Sequence, residues 1–185
     1  MRTKALILIF LFLSFTSTAF AQKGLYLRFS LGPGYNIESH GINKSGLTLP
    51  TKNHALGWGL NDKYALFITD FGGLLKQDVG DYSYINLDAL GLGFTYHFNS
   101  QISLSLAVAQ GTVSFAKSWK EATGDEMGKG MGINLFLDRT WSLSKRWNVG
   151  LSPQFFLIRT CHECYQFMNF SVNGFVQFYP FPSHE

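Results

Sequence analysis

The chain is short of charge. Asp, Glu, Lys and Arg make up only 15% of its 185 residues, against about 25% in an average soluble domain, so it lacks the polar side chains with which a globular exterior usually meets water. Cysteine is nearly absent: Cys161 and Cys164 are the only two, and alone they fall short of the four ligands of a structural zinc site. Beyond the N-terminal region no run reaches the roughly 20 apolar residues of a membrane-spanning helix. Any insertion of the remaining chain into a membrane must then be as a closed barrel, since only helices and barrels satisfy every backbone group in lipid. No Gly-x-Ser-x-Gly elbow, phosphate-cradling glycine loop or pair of catalytic carboxylates is evident.

Aromatics and glycine are plentiful, with 18 Phe, 8 Tyr and 19 Gly. The N-terminus reads as an export address: Arg2 and Lys4 form a basic start, Ala5 to Phe15 an apolar centre, and Ala19-Phe-Ala21 a small-x-small cleavage site. Residues 1–21 are therefore expected to be a signal peptide and 22–185 one β-barrel domain. Without Arg2 and Lys4, 13 basic residues face 12 acidic ones, a formal charge of +1. That balance leaves no basic stripe for phosphates and argues against nucleic acid as a partner.

Eight segments alternate as strands do. The last is the cleanest: Met168, Phe170, Val172, Gly174, Val176 and Phe178 fall on one face, and Asn169, Ser171, Asn173 and Gln177 on the other. The first, Leu25 to Ile37, separates Leu25, Leu27, Phe29, Leu31 and Tyr35 from Tyr26, Arg28, Ser30 and Asn36. The others are expected over 54–60 (beginning as early as Leu47), 64–75, 84–98, 102–115, 129–143 and 147–160, with connections at 38–53, 76–83 and 116–128. Asn61-Asp-Lys63, Asn99-Ser-Gln101 and Ser144-Lys-Arg146 supply three tight turns at one end, and the longer connections gather at the other. Outer-membrane barrels have this asymmetry and an even strand number.

A soluble sandwich buries its apolar faces, whereas a transmembrane barrel turns them to lipid. The aromatics favour the second arrangement. Trp58, Tyr64, Tyr96, Phe98, Trp141, Trp147, Phe178 and Tyr179 all lie beside the tight turns or the C-terminal end, where they would form an interfacial girdle. On the opposite parity Arg28, Asp70 and Asp138 are expected to meet in the lumen as a polar cluster among Asn134, Asn148, Gln154, Asn169 and Asn173. Eight strands leave an interior that side chains just fill, so such a lumen would be a plug. Arg139 sits on the apolar parity beside Trp141 and reads as snorkelling to the interface.

From about Gly24 to Phe181, in its Gly24-Leu-Tyr-Leu-Arg-Phe-Ser-Leu-Gly-Pro-Gly-Tyr35 opening strand, hairpin rhythm and aromatic closing strand, the chain resembles the small outer-membrane β-barrels of the OmpA/OmpX-like type. The resemblance implies an all-β, eight-stranded antiparallel up-and-down transmembrane barrel in a bacterial outer membrane after a cleaved signal peptide. It also implies contact with outer-membrane lipids and with the outer-membrane assembly machinery during biogenesis. In the family's C-terminal assembly signal Gly174 and Tyr179 match, while Val172 and Gln177 depart from the polar and apolar types used there.

The expected role is structural, loop-mediated binding of an unspecified extracellular ligand, or narrow and porin-like, without cofactor, metal or catalytic residues. A soluble periplasmic or secreted lipocalin-like carrier, with an apolar interior, is the alternative. An outer-membrane lipid hydrolase or acyltransferase is third, its first suspects Ser39, His40, Ser45 and His54. Cys161-His-Glu-Cys164 allows a local disulfide, free thiols or a metal site completed by His162 with Glu163 or His184; an exported chain favours the disulfide.

Overall fold

The structure is a computed structural model that describes residues 23–40, 45–79, 82–117, 125–160 and 165–181. The alternating stretches fold as β1 (Gly24–His40), β2 (Gly46–Gly59), β3 (Tyr64–Val79), β4 (Tyr82–His97), β5 (Ile102–Ala116), β6 (Asp125–Ser142), β7 (Trp147–Thr160) and β8 (Gln166–Phe178). Each strand pairs antiparallel with the next, and β1 pairs with β8 to close the barrel. Closure leaves no edge strand with unpaired backbone groups. The expected signal segment and the Cys161-His-Glu-Cys164 motif lie outside the described residues.

Several strands run farther than periodicity predicts. β2 begins at Gly46, one residue before the earlier of its two expected starts, Leu47, and so takes in most of the second half of the connection expected at 38–53. Pro50 reads as a breaker, but the β2–β3 register shifts between Thr48 and Thr51, and at a bulge the missing N–H removes no ladder bond. β3 continues to Val79 and β4 starts at Tyr82, across the connection expected at 76–83. β6 likewise starts at Asp125, inside the loop expected at 116–128. Backbone pairing continues there after the apolar alternation has faded, and the alternation is all that sequence reports.

The three tight turns share one construction. Asn61 Oδ1 accepts the Lys63 and Tyr64 N–H groups, Asn99 Oδ1 those of Gln101 and Ile102, and Ser144 Oγ those of Arg146 and Trp147. A short polar side chain folding back on the next backbone donors is the reason Asn and Ser favour such positions. In each turn the residue before it donates its N–H to the carbonyl of the first residue of the next strand, as Leu60 does to Tyr64 at 2.9 Å.

Register fixes the tilt. A row of paired residues starting at Leu25 passes through Trp58, Leu66, Phe94, Leu106, Leu135, Phe155 and Phe170 and meets β1 again at Tyr35, ten residues farther along. Such a stagger around eight strands corresponds to a strand tilt of about 40°.

The faces are inverted relative to a soluble protein. Phe29 is 60% exposed and Leu92 68%, whereas Asn134 and Asn173 are fully buried. Leu31, Leu56, Leu66, Leu106, Leu135 and Val172 continue the exposed belt around the wall. A water-soluble carrier needs the opposite arrangement, so the lipocalin-like expectation does not describe this fold. The girdle expectation needs one correction. Trp58, Tyr64, Phe98 and Trp147 face out, and Tyr96, Trp141 and Phe178 are partly exposed on the same wall. Tyr179, however, is 4% exposed and turns inward against the Tyr26 ring at 5.9 Å, because it continues the inward parity of Asn173 and Phe175, with its N–H still donating to the Arg146 carbonyl at 2.9 Å.

Candidate functional site

Tyr26, Arg28 and Ser30 share the inward parity of β1. Arg28 is buried, and its Nη1 and Nη2 donate to Asp138 Oδ2 and Oδ1 of β6 at 2.6 and 2.9 Å, a two-pronged charge-assisted pair. Phe136 and Phe175 cover the guanidinium, with ring centroids 4.6 and 4.3 Å from Cζ. Stacking on aromatic faces is a use to which a planar guanidinium is suited and a lysine is not.

Glycines on neighbouring strands make room for the rings around Arg28. A Cβ at Gly57 would strike the Tyr26 ring, one at Gly93 the Phe67 ring and one at Gly150 the Phe175 ring. Phe67 in turn packs on Phe136 at 5.8 Å. Gly93→Leu is accordingly expected to destabilise the barrel by about 1–3 kcal/mol, measured by urea unfolding in lipid vesicles. An unchanged midpoint would mean that the Phe67 ring is not held over that glycine.

Above this cage lies a belt of amides and hydroxyls. Asn173 Nδ2 donates to Gln154 Oε1 at 2.9 Å, the Thr51 hydroxyl lies 2.7 Å from Asn173 Oδ1, and Asn169 Nδ2 donates to Thr48 Oγ1 at 2.7 Å. Toward the long-loop end the lumen becomes apolar, filled by Phe71, Phe156, Phe167, Leu75, Leu87 and Ile158, all fully buried. The interior expected to be charges and amides is thus half that and half a hydrophobic plug. At the tight-turn end a cavity of about 30 Å³ touches Tyr26, Arg28, Thr95, Asp138 and Tyr179.

Asp70 does not join the lumen cluster. It follows Tyr64, Leu66 and Ile68 in period two and therefore faces outward with them. Its carboxylate accepts from Lys52 Nζ of β2 at 2.9 Å, and Lys52 also lies 2.6 Å from Asp88 of β4. Lys52 and Asp88 flank Gly72 in one paired row. With no side chain at Gly72, the lysine reaches across β3; a Cβ there would run into the Leu87 carbonyl oxygen. Sequence reasoning missed Lys52 and Asp88. The usable signal was parity, since Asp70 and Asp88 both stand in step with exposed apolar neighbours.

Of the residues suspected of catalysis, His54 and Ser45 are described in full. His54 packs on Phe29 with ring centroids 5.6 Å apart, and its Nδ1 accepts the Ser30 N–H at 3.3 Å. Ser45 Oγ accepts from the Tyr35 hydroxyl at 3.3 Å. The side chains of Ser39 and His40 lie outside the described residues. Among the described residues no cluster of His, Cys, Asp and Glu has the makings of a metal site.

No protein-family model matches the chain, and no curated protein matches it in sequence. Solved structures do match in fold. Neisserial surface protein A superposes with a TM-score of 0.65 at 10% identity, covering 84% of this chain and 96% of its own. Ail, the attachment invasion locus protein of Yersinia pestis, superposes with a TM-score of 0.57 at 9% identity, covering 84% and 99%. Both are small eight-stranded outer-membrane barrels, and at these identities the likeness is one of fold.

Proposed function

We propose that this chain is an integral protein of a bacterial outer membrane and works as a closed scaffold that presents its longer connections outside the cell. In this orientation the termini and the three tight turns lie in the periplasm. The single observation that carries the reading is the inverted wall: an apolar belt faces out around the whole barrel while a charge pair and an amide network face in. Such a surface is unstable in water and matched to hydrocarbon, with the tight-turn aromatics at the headgroup level. Its partners on this reading are outer-membrane lipids, the assembly machinery during biogenesis and a ligand for the outward connections.

A scaffold role is favoured over a porin-like one because each level of the lumen is occupied, by the Arg28 cage, the amide belt and the apolar plug. Two measurements test this. Recovery in the outer-membrane fraction with a heat-dependent change in gel mobility is expected; recovery as a soluble protein would sink the membrane reading. In planar bilayers the inserted barrel is expected to give no steady conductance at neutral pH, and stable open channels would reinstate the porin-like alternative.

A further inference from the structure

Arg139 is a basic residue of the outer wall that the scaffold reading leaves without work. It lies on the outward face of β6, paired across to Ile102 of β5 and Leu151 of β7, two residues from Trp141 toward the middle of the barrel. Among the described residues its guanidinium makes no ion pair, and its Nε is buried without a hydrogen-bond partner. The neighbouring carboxylate, Asp138, points the other way and is committed to Arg28. A cation held near the edge of an apolar belt with no counter-charge is costly unless its head reaches an anion at the interface.

Beside Arg139 the wall is hollow. A groove of about 330 Å³ runs along the outer face, lined by Ile102, Leu137, Leu151, Pro153 and Val172, with Arg139 and Asp138 in its wall; the Asp138 carboxylate itself is turned inward onto Arg28. Gly174, paired with Leu151, adds to the hollow, since a Cβ placed there would meet nothing within 4 Å. A second outer groove of about 320 Å³, among Leu25, Leu56, Trp58, Leu66 and Leu92, has the same apolar character but no cation in its lining. Below the first groove, the β6–β7 turn carries exposed Lys145 and Arg146.

We infer that this groove is a binding site for one anionic glycerophospholipid of the periplasmic leaflet, its phosphate on Arg139 and an acyl chain along Leu137, Leu151, Pro153 and Val172. The inference rests on the membrane reading above. Complementarity of charge and of shape both point to this occupant: guanidinium pairs with phosphate in the two-pronged geometry it also uses on carboxylates. Apart from Arg139 and Asp138, whose two carboxylate oxygens are taken up by Arg28, no charged or polar side chain lines the groove. Trp141 and Trp147 mark that end as the interface.

The test is native mass spectrometry of the folded barrel exchanged into mixed detergent micelles carrying phosphatidylglycerol and phosphatidylcholine with identical acyl chains. Wild type is expected to retain one phosphatidylglycerol with about a tenfold preference. Arg139→Gln should abolish the preference while leaving some retention of either lipid. Gly174→Leu should reduce retention of both, and Lys63→Gln, a basic residue of another turn, should change neither. Equal retention of the two lipids by wild type, or an undiminished preference in Arg139→Gln, overturns the site. Folding is read separately from the heat-dependent mobility shift: a chain that never acquires it counts against the membrane reading, whereas a shifted barrel without lipid preference counts against this site alone.

Discussion

Asp138→Leu is expected to destabilise the barrel by about 3–5 kcal/mol, the largest loss for any single substitution considered. Arg28 and Asp138 are 4% and 8% exposed at their side chains, so neither charge has recourse to water. Truncating the carboxylate leaves a guanidinium enclosed by Phe136 and Phe175. The ring faces offset part of its charge, but desolvated cation–π attraction, on the order of 2 kcal/mol, does not replace the carboxylate that balances several kcal/mol of desolvation. Asp138→Asn, which keeps the shape, should lie between wild type and Asp138→Leu.

The double variant Arg28→Met/Asp138→Leu separates two explanations of such a loss. If the cost comes from an orphaned charge, removing both partners should return most of the stability, because a buried ion pair often contributes little over well-packed apolar side chains. If it comes from the packing of the cage, the double variant should be no better than the single one. Equilibrium urea unfolding in phospholipid vesicles, followed by tryptophan fluorescence, measures both. Single and double variants of equal stability would remove the ion pair from the account.

Lys52→Met is expected to be the second costly change, by about 2–3 kcal/mol, although it places an apolar residue on an apolar wall. Lys52 pairs across to Leu31, and farther along β1 the outward residues Tyr35 and Ile37 are still apolar and exposed. The Lys52–Asp70–Asp88 triad is therefore enclosed by the hydrocarbon-facing belt, not at its rim. A lone cation near the midplane of such a wall costs about 2–4 kcal/mol, which explains why Lys52 has two carboxylates within 2.9 Å. Removing the lysine leaves two like charges in that setting. The triple variant Lys52→Met/Asp70→Leu/Asp88→Leu should be at least as stable as wild type in vesicles. A Lys52→Met barrel as stable as wild type would mean that water reaches this part of the wall.

The two clusters show how far the chain could be read without coordinates. Both Arg28 and Asp138 stand at polar positions in clean alternation, so their inward direction was legible, and a lumen filled by eight strands' worth of side chains left few places for them but each other. Asp70 was misplaced by its chemistry: charge suggested the interior, while its step with Leu66 and Ile68 put it outside. Its partner Lys52 lay in a stretch that Pro50 disguised as loop. The aromatic partners Phe136 and Phe175 were not foreseen, since on an inward polar face a lone Phe carries no sign of what it covers. The inward direction of Tyr179, by contrast, was legible, since its position continues the parity of Asn173 and Phe175.

By itself, the sequence determined the all-β class, the strand number, the three tight turns and the apolar outer wall. These follow from period-two alternation and from turn residues acting over three or four positions, which are local effects. Only the tertiary structure decided which charges meet, that the lumen is polar at one end and apolar at the other, and that a groove opens beside Arg139. Those features depend on the stagger that brings Leu25 round to Tyr35 and so sets which distant residues share a level of the barrel. Register is a property of all eight strands closing together, and no single stretch of the chain encodes it.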